Sequence, residues 1–222
     1  MDKQYFLRLD EDIGLNFIER LLPLVSTKKR EQIGKFKFDI DKALSLYAEI
    51  IVRYSICTVL GIKNTDILFE KNEYGKPHFK DYPELYFNIS HTRNAVCVSI
   101  LDKPTGIDIE RIRIADIRIA ERFFASNELK YIIASPKPNE CFYEVWTKKE
   151  AYIKYLGKGL SVPLNSFDVF NEDFECDIIT TKLHDYIISI CNTSNNCILI
   201  DEINLADIKE MATYLHDGLL VL

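Results

Sequence analysis

A short alternating segment places the strongest constraint on how this chain can fold. Residues 106–110 read Gly-Ile-Asp-Ile-Glu, a pattern that predicts a strand with Asp108 and Glu110 on one face and the two isoleucines on the other. Alternate residues of a strand lie roughly 6.6 Å apart along its axis, so both carboxylates can reach one hard cation. The segment therefore predicts a strand that is buried on one face and carries a candidate metal site on the other.

A predicted helix over 139–156 supplies the other half of the candidate site. It carries Glu150 and Lys154, which lie four residues apart and so on neighbouring turns. Glu150 falls in line with apolar positions of the helix, and a buried carboxylate needs a partner because an unpaired buried charge is costly. An all-oxygen set of three carboxylates suits Mg²⁺ or Mn²⁺, whereas Zn²⁺ favours His or Cys. An ion pair between Lys154 and Glu150 is the plainer alternative, with a small effect on stability.

The pattern of apolar residues predicts an α+β fold. The chain has 222 residues, of which 47% are apolar, enough for a packed core and too many for a disordered chain. Helices are expected at 26–33, 39–60, 116–123, 126–134, 139–156 and 204–215. Strands are expected at 4–9, 67–71, 85–90, 95–101, 106–110, 166–170, 185–191 and 197–201. Both halves run from strand to helices to strands, with a joint near Lys103-Pro104.

The charge of the chain and its cysteines limit which partners the protein is expected to bind and in which compartment it is expected to occur. The net charge of −6 disfavours non-specific binding of nucleic acid. Two basic clusters, the lysines and arginine of 28–37 and the arginines of 111–122, indicate either solvated faces or sites for an anionic ligand or an acidic partner protein. The amino terminus lacks a signal-peptide layout, and no apolar run approaches the roughly 18 residues of a membrane span. Six scattered cysteines without a C-x-x-C pair predict reduced thiols in a cytoplasmic protein, with no metal or redox use.

The two segments belong to a longer series of motifs. In chain order the series is Tyr74-Gly75-Lys76-Pro77, Phe87-Asn88-Ile89-Ser90-His91, residues 106–110, residues 146–154 and Gly157-Lys158-Gly159-Leu160-Ser161. Over about residues 26–170 this series resembles the signature of the 4′-phosphopantetheinyl transferases, in particular their Sfp-type, surfactin-synthetase-activating branch. A single motif is weak, but several in the family's order and spacing are specific.

The resemblance implies a fold and an activity. The 4′-phosphopantetheinyl transferase fold has two similar α/β subdomains in a pseudo-twofold arrangement, here expected as 1–104 on the nucleotide side and 105–222 with the metal and the catalytic helix. The implied reaction moves 4′-phosphopantetheine from coenzyme A to a serine of an apo acyl or peptidyl carrier protein and releases adenosine 3′,5′-bisphosphate. A chain carrying both halves of the cleft is expected to act as a monomer.

The same resemblance assigns roles to individual residues. Asp108, Glu110 and Glu150 would hold the metal, Lys154 and His91 would stabilise phosphate, and Glu150, directly or through a metal-bound water, would accept the serine proton. Coenzyme A contacts are expected from Lys29, Ser45, Gly75, Lys76, Pro77, Ser90, His91, Lys149 and Lys154. On their residues alone, 75–77 predict a turn, the lysines solvated helix positions, and Ser90-His91 a structural strand end. No G-x-S-x-G elbow surrounds Ser90, which excludes a serine hydrolase.

One position departs from the family pattern. The family usually has Asp-x-x-Arg at the start of the long helix, whereas this chain has Asp41 followed at the fourth place by Leu44. Lys35 or Lys42 could supply the missing charge, so the grip on the 3′-phosphate of coenzyme A is altered.

Carrier docking and two rival functions complete the expectations. The arginines of 111–122, with Phe123, Phe124, Leu129 and Ile132, would form a docking face for an acidic carrier, or the apolar four would be core. The rivals are a non-catalytic binder of coenzyme A or carrier protein, and a metal-dependent diphosphate hydrolase that uses the same carboxylates.

Overall fold

The computed structural model describes residues 2–10, 13, 15–171, 174–193 and 199–220. The helices are α1 Leu15–Leu21, α2 Thr27–Gly34, α3 Asp39–Leu60, α4 Ile117–Phe123, α5 Ser126–Ala134, α6 Pro138–Leu156 and α7 Leu205–Leu220. The strands are β1 Asp2–Arg8, β2 Phe69–Lys71, β3 Pro77–Phe79, β4 Tyr86–Thr92, β5 Ala95–Leu101, β6 Thr105–Arg111, β7 Asp177–Leu183, β8 Tyr186–Asn192 and β9 Ile200–Ile203. Short 3₁₀ turns cover 22–24, 64–66, 159–161 and 164–166.

A four-stranded sheet forms the first half of the molecule. Its order is β4-β5-β1-β9, with β1 antiparallel to β5 and parallel to β9. Helix α3 packs on this sheet because apolar side chains recur along it at helical spacing, and it ends where Gly61 adopts a left-handed conformation at φ +64°. By length and composition α3 could cross a membrane, but 72% of its apolar window is buried within the protein. It is therefore a core helix of this fold.

A three-stranded sheet in the order β6-β8-β7 forms the second half, and helix α6 packs against β6 and β8. Pro138 lies in the first turn of α6, and Gly157 ends the helix at φ +67°. Strands β4 and β6 are edge strands of their respective sheets and lie next to each other. The two halves therefore meet along a β4–β6 boundary.

The last part of the chain returns to the first sheet. Strand β9 pairs with β1, and Ile208, Met211 and Leu215 of α7 are buried in the same core as α3. The joint at residue 104 stays a prediction. The carboxyl-terminal segment, expected within 105–222, packs here with the amino-terminal half.

The α+β class is confirmed, and the bounds of α3, α5 and β5 fall as predicted. The predicted strand at 166–170 is wrong, because residues 164–166 form a 3₁₀ turn and the strand of this region is β7. Strand β7 was missed because it is an edge strand with several polar residues, which weakens its apolar signal. Helix α1 and strand β3 were also missed. Of the strand expected at 197–201, residues 197 and 198 lie outside the described residues.

Candidate active site

Polar side chains face each other across the β4–β6 boundary. Ser90 Oγ donates a hydrogen bond to Asp108 Oδ1 at 2.8 Å, and Thr92 Oγ1 donates to Glu110 Oε2 at 3.0 Å. Because side chains alternate along a strand, 90 and 92 share the face that meets 108 and 110. We call the pairing of these four residues the polar seam; it fixes both predicted carboxylates of β6 against β4.

Lys154 reaches the polar seam from α6. Its Nζ donates to Asp108 Oδ1 at 2.6 Å, to Ser90 Oγ at 2.8 Å and to the backbone oxygen of Ile107 at 3.1 Å. All three ammonium protons therefore have acceptors, and the ion pair runs to Asp108, whereas the plainer sequence alternative was Glu150. The structure thus brings together Lys154, Ser90 and Asp108, three residues predicted from separate motifs.

One oxygen of Asp108 has no partner in the described part of the chain. Asp108 is 5% exposed, and its Oδ2 is buried without a hydrogen-bond partner among the described residues. A buried carboxylate oxygen in this state is costly unless a cation or donor meets it. The site is therefore electrostatically incomplete at Asp108.

The two glutamates respond to the same environment. Burial raises the pKa of Glu150, and the charge of Asp108 raises it further. Burial also raises the pKa of Glu110, with Asp108 adding to the shift and the hydrogen bond from Thr92 opposing it. Mutual repulsion of this kind is what a shared cation relieves.

In the described part of the chain, no group of three or more His, Cys, Asp or Glu side chains is already arranged to hold a metal ion. The predicted metal set of Asp108, Glu110 and Glu150 therefore stays a prediction. Its support is the orphaned Oδ2 and the raised pKa values of the two glutamates, together with the oxygen chemistry of the donors.

Gly106 explains how α6 comes so close to β6. A Cβ atom at this position would overlap the backbone oxygen of Ala151 and the backbone nitrogen of Tyr155. Only glycine allows that approach, which places Glu150 and Lys154 directly over the strand that carries Asp108.

The β2–β3 hairpin docks on the end of α6. Asn72 Nδ2 donates to the backbone oxygen of Gly157 at 3.1 Å, and Lys76 Nζ donates to the backbone oxygens of Thr105, at 3.0 Å, and Lys154. Burial lowers the pKa of Lys76 to about 8. The Lys76 ammonium, which was expected to contact coenzyme A, thus donates to backbone carbonyls.

A cleft of about 270 Å³ opens between this hairpin and α6. Gly75, at φ +88°, allows the tight turn that forms one wall, as the plain sequence interpretation of 75–77 predicted. The lining residues are Tyr74, Gly75, Lys76, Pro77, Asn88, Glu150, Ile153, Lys154, Gly157 and Gly159. The cleft therefore joins the predicted nucleotide-binding hairpin to Glu150 and Lys154.

Lys29 of α2 forms an ion pair with Glu49 of α3. Lys29 Nζ is 3.6 Å from Glu49 Oε2, while Arg53 Nε donates to Glu49 Oε1 at 2.9 Å. Burial lowers the pKa of Lys29, and the charge of Glu49 opposes that shift. Ser45 is half-buried one helical turn before Glu49, so it shares a face of α3 with the lysine's partner. Leu44 is 1% exposed and belongs to the core, so no cation stands there.

His91 directly follows Ser90, one residue before the end of β4, and is exposed. Desolvation by the surrounding protein lowers the pKa of His91; the charge of Asp41 opposes this shift, and the charges of Lys154 and Lys29 add to it. These neighbours place His91 between the Lys29 region and the polar seam.

The Lys149 side chain is directed toward α5 and the loop after α6. It is 0% exposed and pairs at 2.7 Å with Glu128, which is also 0% exposed. Its Nζ also donates to the backbone oxygens of Leu164 and Phe167, each at 2.7 Å. The expectation that Lys149 contacts coenzyme A does not fit this arrangement, since its ammonium is enclosed in a structural contact between α5, α6 and the loop after α6.

The structure buries part of the apolar surface that was expected to dock a carrier protein. Phe124 and Ile132 are buried core residues, whereas Phe123 is 40% exposed. Leu129 is partly buried against the same core. Core packing, the alternative stated for this apolar set, therefore accounts for Phe124 and Ile132.

Sequence reasoning missed Thr92, Asn72 and the structural role of Asn88, whose Oδ1 accepts a hydrogen bond from the backbone nitrogen of Ile107 at 2.8 Å. The available signal was the period-two spacing of polar residues 88, 90 and 92 on a strand, which matches the carboxylate spacing of β6. Asn72 gave no comparable signal, because its acceptor lies far along the chain at Gly157.

Comparisons with known proteins agree with these features. Residues 104–197 match the family model of the 4′-phosphopantetheinyl transferase superfamily, and residues 16–101 match the model described as 4′-phosphopantetheinyl transferase, N-terminal. The chain is 40% identical over 169 residues to 4′-phosphopantetheinyl transferase gsp of Aneurinibacillus migulanus, covering 75% of this chain and 70% of that one. It is 38% identical to 4′-phosphopantetheinyl transferase ffp of Bacillus subtilis, with 82% and 83% covered, and 37% identical to 4′-phosphopantetheinyl transferase Sfp of Bacillus subtilis strain 168, with 75% of each covered. This chain therefore belongs to the 4′-phosphopantetheinyl transferase family.

Proposed function

We propose that this protein transfers 4′-phosphopantetheine from coenzyme A to a serine of an apo acyl or peptidyl carrier protein and releases adenosine 3′,5′-bisphosphate. The observation that carries the proposal is the buried Asp108 carboxylate. One of its oxygens is paired with Lys154, and the other has no partner among the residues that the structure describes. Relatives named as 4′-phosphopantetheinyl transferases support the same reaction.

Asp108, Glu110 and Glu150 are the residues that would hold a divalent cation, Mg²⁺ or Mn²⁺. A cation bound there would neutralise charge on the diphosphate of coenzyme A and on the leaving phosphate. The unpartnered Asp108 Oδ2 and the raised pKa values of Glu110 and Glu150 support this assignment.

The chain's own residues would act on the oxygens and the proton of the reaction. The serine oxygen of the carrier attacks the phosphorus that bears pantetheine, and the bond from that phosphorus to the adenosine-side phosphate breaks. Lys154 would exchange one of its three present contacts, to Asp108, Ser90 and the backbone oxygen of Ile107, for a phosphate oxygen. His91 directly follows Ser90 on β4 and would add a second contact to phosphate. Glu150 accepts the serine proton, and its raised pKa makes the carboxylate a better base at neutral pH.

The nucleotide of coenzyme A would lie toward the β2–β3 hairpin and Lys29. The cleft beside Gly75 and Pro77 can receive a flat ring against backbone, and Lys29 provides a partly buried positive charge for the 3′-phosphate. Lys76 serves this site as a support for the hairpin through its contacts with Thr105 and Lys154. Ser45 lies near Lys29's partner and completes the proposed nucleotide side.

The carrier protein would dock beside α4. Phe123 is exposed there next to Arg122, whose guanidinium lies 5.1 Å from the centre of the Phe123 ring. An acidic carrier meets positive charge and one apolar anchor on this surface. We further infer a cytoplasmic monomer, since one chain carries both sides of the cleft and reduced thiols suit that compartment.

The test is incubation with coenzyme A, Mg²⁺ and a panel of apo carrier proteins, followed by mass spectrometry of each carrier. The proposal expects a carrier to gain the mass of one phosphopantetheine, and the same carrier with its serine changed to alanine to gain nothing. Adenosine 3′,5′-bisphosphate released equally without any carrier would indicate a diphosphate hydrolase. Binding of coenzyme A without turnover on any carrier would indicate a non-catalytic binder.

A further inference from the structure

Two cysteines distant in sequence meet beneath the catalytic helix. Cys176 directly precedes β7 and Cys191 lies on β8, and their sulfur atoms are 2.9 Å apart. This distance is shorter than an ordinary contact between two uncharged thiols, so one thiol donates a hydrogen bond to the other. The sequence has no C-x-x-C pair, so no redox use of these cysteines was expected. The pairing of β7 with β8 brings the two thiols together.

The surroundings of the pair favour a bond between these two sulfurs over other partners. Cys191 is 0% exposed and Cys176 is 9% exposed, in an apolar cluster with Ala151 of α6. Cys191 also lies opposite Gly106 in the β6–β8 register, at the point where α6 comes closest to the sheet. A disulfide requires the sulfurs to move about 0.9 Å closer, to the usual bond length of roughly 2.05 Å.

We propose that Cys176 and Cys191 form a peroxide-reactive dithiol that closes to an intramolecular disulfide. The sulfur of Cys176 attacks one oxygen of hydrogen peroxide, the O–O bond breaks, and a sulfenic acid and one water form. The sulfur of Cys191 then attacks the Cys176 sulfur, and the S–O bond breaks to release a second water with the Cys191 proton. The two thiols together lose two hydrogens and two electrons, and the peroxide is reduced to two waters.

Accessibility and charge assign the order of the two cysteines. Cys176 has the larger exposed fraction and so meets the oxidant first. The hydrogen bond from Cys191 lowers the pKa of Cys176, and the same shared proton raises the pKa of Cys191. The thiolate is the nucleophile toward peroxide, so Cys176 is the attacking residue and Cys191 the resolving one.

Peptide mapping of the full chain after treatment with dilute hydrogen peroxide tests this. The expected product is one linked peptide pair joining Cys176 to Cys191, with loss of two hydrogens and full reversal by a dithiol reductant. Mapping is needed because Cys197 lies outside the described residues. In Cys191→Ala a 1,3-diketone probe for sulfenic acid should label Cys176, whereas in Cys176→Ala it should leave Cys191 unlabelled.

Matched controls come from the buried cysteine of another core. Cys57→Ala, in α3, should form the same crosslink as the unchanged protein. The unfolding temperature should rise on oxidation in the unchanged protein and in Cys57→Ala, but in neither of the two variants at 176 and 191, because the disulfide closes a loop of the unfolded chain. A crosslink at other cysteines, or labelling of Cys191 in preference to Cys176, would overturn the proposal. None of these readouts depends on transferase activity.

Discussion

At the scale of single residues, Asp108, Glu110 and Glu150 form a cluster of negative charge that the described residues balance only in part. Lys154 satisfies one oxygen of Asp108, while the second oxygen and the carboxylates of Glu110 and Glu150 remain without enough positive charge. Such a cost to stability is typical of sites that bind a charged ligand, because the missing partner arrives with that ligand.

Repulsion among these carboxylates predicts that the protein becomes more stable when the charge of Glu150 is removed. Folding raises the pKa of the Glu150 carboxyl above its unfolded value of 4.5. Such a group stabilises the fold at pH values below the unfolded pKa, and this stabilisation is lost as the pH rises through the pKa of the folded state. In chelator at neutral pH, Glu150→Gln should therefore unfold at a higher temperature than the unchanged protein, and the difference should vanish below pH 4.5.

Thermal melts across pH provide that measurement, with Glu121→Gln on the exposed face of α4 as the control, expected to change little. Added Mg²⁺ should stabilise the unchanged protein more than Glu150→Gln. A variant that is less stable than the unchanged protein at neutral pH in chelator would show that Glu150 is not repelled by its neighbours.

Lys29 gives a second prediction at this scale. Since Leu44 is in the core, the 3′-phosphate of coenzyme A would be held by lysine charge alone, without the bidentate fork of arginine. Lys29→Ala should raise the KM for coenzyme A roughly tenfold and leave the KM for dephospho-coenzyme A nearly unchanged. The exposed neighbour Lys28→Ala is the matched control. Equal losses on both substrates would remove Lys29 from the 3′-phosphate.

The role of a residue could be predicted from the sequence where a motif marks its partner, and could not where the partner lies unmarked elsewhere in the chain. Asp108 and Lys154 were predicted from their own motifs, and they meet in the structure. Lys149 was assigned to coenzyme A from the family resemblance; its actual partner, Glu128, lies on another helix and is not marked in the sequence. Lys76 was expected to contact coenzyme A, but its ammonium contacts depend on the end of a helix many residues later.

At the scale of elements, the approach of α6 to β6 determines the site. Helix α6 carries Glu150 and Lys154, β6 carries Asp108 and Glu110, and Gly106 sets the distance between them. The helix and the strand were both predicted from periodicity, but the closeness of their backbones was not, because periodicity describes faces and not separations.

Gly106→Ala should therefore disturb both stability and activity. Its Cβ would overlap backbone atoms of Ala151 and Tyr155, so α6 must move, and we expect a loss of about 1–3 kcal/mol in the free energy of unfolding. Because Lys154 would shift with the helix, turnover should fall more than stability alone explains. Denaturant unfolding and a transfer assay at a temperature where the variant is folded measure the two effects.

Gly34→Ala is the control for this prediction. Gly34 ends α2, and a Cβ there would meet nothing within 4 Å, so the change should not lower stability. If Gly106→Ala behaved like Gly34→Ala, the contact between α6 and β6 would not be the constraint that positions Lys154.

At the scale of the whole molecule, the site lies where the edges of two sheets meet. The four-stranded sheet supplies Ser90 and Thr92, and the three-stranded sheet supplies Asp108 and Glu110. The α+β class and most elements could be predicted from the sequence. The return of β9 and α7 to the first sheet could not, because a parallel pairing between the two ends of the chain leaves no local pattern.

This arrangement predicts a functional monomer, since one chain contributes both edges of the polar seam. Light scattering during turnover should give a mass near the 25.8 kDa of one chain. An obligate trimer at the working concentration would contradict the expectation and would place part of the site between subunits.

The proposed transfer is tested most directly by the mass of an apo carrier protein after incubation with coenzyme A, Mg²⁺ and either the unchanged protein or Asp108→Ala. We expect the unchanged protein to add one phosphopantetheine per carrier, and Asp108→Ala, with native circular dichroism, to be slower by at least about 100-fold. Asp185→Ala, which removes an exposed carboxylate paired with Arg111, should retain full activity. Full modification of the carrier by Asp108→Ala, or by the unchanged protein in excess chelator, would show that transfer depends neither on the Asp108 carboxylate nor on a divalent cation.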